Sequence, residues 1–435
     1  MTTAEVYLWD TLIGGVSVEG PRRVASFEYE RAFQASGIEI APLMMPLSDR
    51  LYRFPELPES TFHGLPGLLA DSLPDRFGNA VIDQWLLSQD RLPGTIDAVE
   101  RLCYTGARGM GALEFRPASG PRMDESKPVH IDSLVSLASE VLSSREGLAV
   151  SFADADKERA LREILRVGAS AGGARAKAII AWNPKTSEVR SGQVRAGAGF
   201  EYWLLKFDGV ENNKDRALAD PKGYGAIEFA YHLMAVEAGI TMSPCRLFEE
   251  NGRRHFMTRR FDRLAGGEKL HMQSLGAVAH LDFNNELAHS YEQAVLVMRR
   301  LGLPMSDIEE QFRRMVFNVV ARNQDDHVKN VAFLMDKQGR WSLSPAFDVT
   351  YSYDPANRWL SRHQMSMAGK RDGFTFDDLR AVAKMASMKR GRAEEIASEV
   401  VGAVARWRVF AQRAGVQPAQ TDAIAKAHRL GLAPG

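Results

Sequence analysis

Eight consecutive residues, Asn323-Gln324-Asp325-Asp326-His327-Val328-Lys329-Asn330, gather acids, amides, a histidine and a lysine between the apolar helical run Asp307 to Arg322 and the strand-like Val331 to Met335. Both neighbours read as buried, so the polar groups between them need internal partners or a ligand. Such a set can take a proton from a hydroxyl, hold a hard cation through oxygen atoms and neutralise phosphate charge.

Spacing narrows the chemistry. Kinase-type phosphoryl transfer uses a catalytic Asp, an Asn five residues on that holds Mg²⁺, a β-hairpin, and a second metal-binding Asp. Asp325 precedes Asn330 by five positions and Asp326 by four, which nominates Asp325 as the base. The strand Val331 to Met335, the turn Asp336-Lys337-Gln338-Gly339 and the strand Arg340 to Leu343 then lead to Pro345-Ala346-Phe347-Asp348. Asp348 thus stands where the second metal ligand is expected, with Asn330 as its companion on Mg²⁺. Lys206, in the apolar strand Glu201 to Phe207, is placed to neutralise phosphate and to pair with Glu228, near the start of the helix Gly223 to Ile240. Taken singly, Asp348 could cap a turn and Lys206 could be an edge-strand charge. It is the common order and spacing that favours a site. His327 reads as a structural histidine bonding loop backbone, and Asp326 as a residue that holds the loop. A metal-dependent hydrolase built on Asp325, Asp326 and His327 lacks further His or Cys at ligand spacing.

Several elements must position these residues. Val6-Tyr7-Leu8-Trp9 and Gly14 to Val18 form a hairpin, with Arg23 to Tyr29 as a third strand. Asp71-Ser72-Leu73-Pro74-Asp75 caps a helix carrying Val81, Leu86 and Leu87. The glycine-rich Thr105 to Phe115 enters a strand without the helix or lysine-hydroxyl ending of a phosphate loop, and reads as a turn. Pro117 to Lys127 is a linker, followed by helices at Ile131 to Leu142 and Asp156 to Arg166, which puts a boundary between 120 and 150. A second glycine-rich stretch, Gly168 to Lys177, runs into the strand Ala178 to Trp182. The helix Gly223 to Ile240 carries Phe229, Leu233, Val236 and Ile240 as its apolar stripe, and Asn251-Gly252 turns a hairpin between Pro244 to Glu249 and Arg253 to Thr258. Ser306-Asp307-Ile308-Glu309 is a capping box opening a helix with Phe312, Met315 and Val319 inward. Phe376 to Met385 and Ala393 to Phe410 continue a helical C-terminal part.

The 435 residues exceed one ordinary domain. Lys+Arg and Asp+Glu both number 55, so no global field draws nucleic acid or anionic lipid, and any such contact must be a local patch. The lone pair Cys103 and Cys245, the lack of a basic-then-apolar leader and the lack of a long apolar run predict a soluble cytoplasmic protein with buried thiols and no membrane contact.

Four motifs in order carry a resemblance: Asn-x-Asp-x-His-x-Lys-Asn at 323–330, Gly-Gly-Ala-Arg-x-Lys at 172–177, Asp-Ser-Leu-Pro-Asp-Arg-Phe-Gly at 71–78 and Arg-Phe-Asp-Arg at 260–263. Together they are similar to those of the HipA family of bacterial serine/threonine kinase toxins, from the N-terminus to about residue 400. The resemblance implies an α+β, two-lobed protein-kinase-like fold with an extra N-terminal β-rich subdomain and a mostly helical C-terminal lobe. Its expected divisions are a β-rich region at 1–145, an N-lobe-like ATP-binding region at 146–270 and a helical catalytic lobe at 271–435. ATP is expected between Ser170, Ala171, Gly172, Gly173, Ala174 and Lys177 of the glycine-rich loop, Lys206, the hinge Arg259-Arg260-Phe261, and His327, Lys329 and Asn330 beside Asp325 and Asp348. Ser170 is implied as an autophosphorylated residue whose phosphate would repel those of ATP. The hinge departs from the family in having Arg259 where an acid is known, so no side-chain role is assigned to it, and Asp262 reads as structural, pairing with an arginine.

Implied partners are a HipB-like helix-turn-helix antitoxin, operator DNA reached through that complex, and a translation component as protein substrate, an aminoacyl-tRNA synthetase such as glutamate–tRNA ligase. Lys384, Lys389, Arg390 and Arg392 are the densest basic cluster of the C-terminal lobe, readable as a DNA-phosphate contact or as a solvated helix end. The alternative of a different class is a catalytically silent corepressor acting with its antitoxin, against which Asp325, Asn330, Asp348 and Lys206 stand intact.

Overall fold

The structure is a computed structural model that describes residues 1–20, 23–120, 126–143, 155–168, 176–209, 223–264, 266–286 and 288–432. Strands β1 (Thr2–Leu8), β2 (Thr11–Val18), β3 (Ala25–Tyr29) and β4 (Leu113–Arg116) form an antiparallel sheet in the order β3-β2-β1-β4. Alternation along β1 buries Ala4, Val6 and Leu8, which pack with Phe27, Leu68 and Phe115 as the two-residue period of a half-buried strand requires. Gly14 is needed in β2, because a Cβ there would meet the Glu28 carbonyl oxygen at 2.3 Å.

The second sheet contains β5 (Lys177–Trp182), β6 (Val189–Ser191), β7 (Glu201–Lys206), β8 (Cys245–Glu250) and β9 (Arg253–Arg259), ordered β6-β5-β7-β9-β8. One face, with Ala178, Ile180, Trp203, Leu205 and Met257, packs against Phe77, Val81 and Trp85 of the helix Arg76–Ser88 and against Leu134 and Ile164 of the helices Ile131–Ser143 and Ala155–Gly168. Lys177 and Lys206 are register partners and so share the opposite face. Between β8 and β9, Asn251 and Gly252 adopt φ of 45° and 73°, the left-handed pair that a two-residue hairpin favours.

The helix Tyr224–Glu237 joins this sheet to the C-terminal lobe. Its buried apolar residues are Ala226, Ile227, Ala230, Tyr231, Met234 and Ala235, whereas Val236 is 50% exposed. Of the expected stripe, Ile240 is buried and Phe229 and Leu233 are half-buried against the core, but Val236 faces out. The packed side mixes alanines, which let neighbours approach closely, with the large Tyr231 and Met234. The capping box expected at Ser306 is also absent: the helix Met305–Val320 starts two residues earlier than a Ser306 cap would set, with Pro304 at its N-cap and no side-chain cap. Glu309 turns away to pair with Arg392 at 3.0 Å. The single helical run expected over Ala393 to Phe410 is broken at Arg406 into Arg392–Ala405 and Trp407–Ala414.

The lobe's core gathers Phe312, Val316, Val319, Ile396, Val400 and Trp407. Beside it lies a sheet of β10 (His271–Ser274), β11 (Ala332–Met335) and β12 (Trp341–Leu343), in that order. Both thiols are free, and burial pushes Cys103 up to about 11 and Cys245 up to about 12. Among the described residues no helix is long and apolar enough to cross a membrane.

Candidate active site

The loop after the helix Met305–Val320 is bound from several sides. Arg322 takes a left-handed φ of 59°, and Asn323 bridges to Ser352, with Gln324 N donating to the Ser352 carbonyl at 3.1 Å. Asn323 donates through Nδ2 to Asn318 Oδ1 at 2.9 Å. The loop then closes on itself: Asn330 N donates to the His327 carbonyl at 2.9 Å and Asn330 Nδ2 to the Asp325 carbonyl at 2.8 Å.

The two adjacent acids have opposite surroundings. Asp326 is buried and accepts from the Tyr291 hydroxyl at 2.5 Å, from His363 Nδ1 at 2.7 Å and from Gln364 N at 2.7 Å. The side chain of Asp325 is 49% exposed, with His327 Nε2 at 3.6 Å from its Oδ1. His327 does not bond loop backbone as expected: Nε2 faces the acid, and Nδ1 is buried without a partner. The physical reason is the short Asp325–His327 spacing, which brings both side chains to one edge of a tight turn.

Asn330, Asp348, Asp326, His327 and Phe347 line one cleft. Lys206 crosses to it from β7, bonding Glu228 Oε1 at 2.6 Å on the helix Tyr224–Glu237 and also Asp348. Asp348 sits at φ 53°, a left-handed conformation uncommon outside glycine, Asn and Asp. Among the described residues no three His, Cys, Asp or Glu side chains converge on a metal position. One carboxylate and one amide oxygen nevertheless suit Mg²⁺, which keeps several waters and leans on phosphate oxygens. Asn330 spends its Nδ2 on the Asp325 carbonyl, which leaves its Oδ1 for a cation, and the Asp348 side chain is 35% exposed.

Other expected residues lie elsewhere. Lys177 is buried against Asp75 Oδ2 at 3.2 Å. That acid is the N-cap of the helix Arg76–Ser88, its Oδ1 accepting from Gly78 N at 2.6 Å. Thus Asp75 is the residue of the stretch 71–75 that caps this helix, and Asp71 accepts from Ser274 N and Oγ at 2.7 and 2.9 Å. Lys329 points away from the cleft, its ammonium 4.7 Å from the Phe283 ring centroid and lining a second hollow with Thr61, Asp71 and Ser274. Ser170, Ala171, Gly172, Gly173 and Ala174 lie outside the described residues.

At the hinge, the Phe261 ring lies 5.7 Å from that of Phe347. Arg259 reaches Glu201 at 3.8 Å. The Arg260 guanidinium is buried on Asp262, at 2.6 Å, and on the Gly109 carbonyl, and its backbone N donates to the Tyr202 carbonyl at 2.8 Å. Asp262 is structural as expected: it also accepts from Arg263 Nη1 at 2.7 Å and from Gly111 N at 2.7 Å. Burial alone would raise its carboxyl, but Arg260 and Arg263 outweigh burial and hold it below the carboxylate range. Arg263, whose burial and neighbour Arg260 lower it to about 10, donates to the Gly109 and Gly111 carbonyls. The glycine-rich turn at 105–115 is therefore the clasp of the hinge. In the basic cluster, Arg392 is engaged with Glu309 and Glu395, while Lys384, Lys389 and Arg390 are exposed.

The partners of Asp326 have no signal in the sequence. Tyr291, His363 and Gln364 are 35 to 38 positions away and share no spacing motif with it.

Comparison with known proteins agrees with this architecture. Residues 169–408 match the HipA-like C-terminal domain and residues 4–116 the HipA N-terminal domain. Over 125 residues, 27% of the chain, it is 26% identical to a putative kinase, Y4mE, of Sinorhizobium fredii (strain NBRC 101917 / NGR234), of whose length the match spans 30%. In fold it is similar to a chain of the Shewanella oneidensis MR-1 toxin–antitoxin complex of HipA, HipB and operator DNA, with a TM-score of 0.67, 14% identity, and coverage of 99% of this chain and 96% of that one. The fold is α+β and two-lobed in the kinase-like manner, with an added N-terminal β-rich region. The chain belongs to the HipA family.

Proposed function

We propose that this protein is a Mg²⁺- and ATP-dependent serine/threonine protein kinase, the toxin of a toxin–antitoxin pair. The observation that carries the reading is Lys206, whose ammonium joins Glu228 to Asp348 above a cleft that Asn330 also lines. This is the cation, acid and hard-oxygen set of phosphoryl transfer, assembled from three separate parts of the chain.

Asp325, open to solvent next to a fixed loop backbone, accepts the proton of the substrate hydroxyl late in the transfer. The hydroxyl oxygen bonds to the γ-phosphorus as the bond to the bridging oxygen breaks and ADP leaves. Lys206 neutralises phosphate charge, and Glu228 orients it. Asn330 and Asp348 would hold Mg²⁺, which supplies charge stabilisation on the phosphate oxygens. Phe261 and the backbone carbonyls of the hinge Arg259-Arg260 form the adenine edge, since the N–H groups of both arginines are donated within the protein. The glycine-rich segment from Ser170 covers the phosphates, and Ser170 is the autophosphorylated residue, as the family resemblance implies. A HipB-like antitoxin, operator DNA bound through it and a translation component as substrate follow from the same resemblance, as does the three-region division, while a cytoplasmic location rests on the two free cysteines. Lys389 and Arg390 are the residues for a DNA-phosphate contact.

Thermal melting with Mg²⁺-ATP tests the nucleotide site. Wild type is expected to gain stability with ATP concentration, and Lys206→Met to lose most of that gain. An unshifted wild-type melting curve at millimolar Mg²⁺-ATP overturns the reading.

A further inference from the structure

We propose that the C-terminal segment around Arg429 is a latch that positions the catalytic loop, acting through His363 on Asp326; the proposal rests on the kinase reading of that loop. Arg429 lies beyond residue 408, where the match to the HipA-like C-terminal domain ends.

The segment is fastened to the point where the loop begins. Arg429 N donates to the Val320 carbonyl at 2.9 Å, and Arg322 Nε donates to the Ala427 carbonyl at 2.8 Å. His428 Nε2 lies 3.1 Å from the Tyr231 hydroxyl, which itself donates to the Ala321 carbonyl at 2.6 Å. Residues 427 to 429 are therefore tied to 320 to 322, immediately before the loop, through the Val320 carbonyl, the Arg322 side chain and, by way of the Tyr231 hydroxyl, the Ala321 carbonyl.

The side chain of Arg429 carries the contact inward. Its Nη1 faces His363 Nε2 at 3.4 Å, and Nη2 is paired with Asp372. A guanidinium can only donate, so the His363 nitrogen it faces must accept, and the ring proton stands on Nδ1. That proton is donated to Asp326 Oδ2 at 2.7 Å. The side chains of His363 and Asp326 are both fully buried, so water does not substitute for the missing member of this chain of bonds. Asp326 is the neighbour of Asp325, and its other oxygen is held by Gln364 N, so its carboxylate fixes the direction in which the loop presents the base. His363 and Arg429 are positioning residues: neither lines the cleft that holds Asn330 and Asp348. The logic is that of an outer partner fixing the tautomer and orientation of the inner one.

The test uses the full-length protein and Mg²⁺-ATP, with phosphate incorporated into the protein itself as readout and hydrogen exchange of the 323–330 peptide as a readout that needs no activity. Arg429→Ala is expected to lower the maximal incorporation rate about tenfold with the half-saturating ATP concentration unchanged within about twofold, and to speed exchange at 323–330. His363→Asn, whose amide places an N–H near the position of Nδ1–H, should retain rate that His363→Ala loses. Arg408→Ala, which breaks the Arg408–Asp422 ion pair in the same part of the chain, should match wild type in both readouts. Wild-type exchange in Arg429→Ala overturns the latch, and so does faster exchange with an unaltered rate. If wild type incorporates no phosphate the kinase reading fails, and the exchange comparison still decides whether Arg429 holds the loop.

Discussion

Two buried carboxylates hold the hinge at 259–261 and the loop at 323–330, and they do so by different means. Asp262, one residue after Phe261 of the hinge, is surrounded by the guanidinium groups of Arg260 and Arg263 and by Gly111 N. Asp326, one residue after Asp325, is held by a hydroxyl, an imidazole and a backbone amide. The first is a charge cluster that clasps the hinge to the N-terminal region, and the second is a single buried acid among uncharged donors. Each leaves its neighbour, Phe261 or Asp325, free for a ligand. The difference predicts that the hinge acid matters most to stability and the loop acid most to the placement of chemistry.

Replacing Asp262 by Ala should have the largest effect on stability, about 3–5 kcal/mol, because two buried guanidinium groups lose their counter-charge. Denaturant unfolding that shows a loss below about 1 kcal/mol would remove the contrast between the two acids. Asp326→Asn keeps shape and one acceptor but turns an N–H toward a donor, so it should cost about 1–3 kcal/mol in the same measurement while lowering phosphate transfer.

A third prediction concerns pH. Burial depresses His255, His280 and His428 to about 4 and His271 to about 3, against 6.5 for a free imidazole. The unfolded chain therefore takes up protons first as pH falls below 6.5, and stability present above that value is lost until the folded values are reached. Each group contributes up to about 1.4 kcal/mol per pH unit in this window, read as a falling melting temperature between pH 6.5 and 4. Asp262 is also depressed, but its contribution is lost only below the ordinary carboxylate range, so the histidine window is separable from it. The smallest effect is expected for Arg408→Ala, below about 1 kcal/mol, since the Arg408–Asp422 pair is exposed on both sides.

Local signals in the sequence were enough for part of this arrangement. The Asn251-Gly252 turn and the strand expected from Glu201 depend on neighbouring residues, and the structure has the turn and a strand over Glu201 to Lys206, while Asn330 and Asp348, paired by their offset, line one cleft. What was not legible depends on distant ones. No periodicity reveals that Val236 faces out while Ala230 faces in, since that is set by two bodies closing on one helix. Pro304 pre-empts the Ser306 cap through its backbone, although both carry start signals. Lys329 sits among the right residues in sequence yet turns to Phe283, because a lysine stem on a tight loop can point to either side. The link from Asp326 through His363 to Arg429 spans more than one hundred positions and is visible only after folding.

The central claim is that the cleft transfers phosphate with Asp325 as base. Intact-mass measurement after incubation with Mg²⁺-ATP tests it directly: wild type is predicted to gain phosphate mass, and Asp325→Ala to gain none while melting at the wild-type temperature. No gain by wild type, or an equal gain by a folded Asp325→Ala, would contradict it.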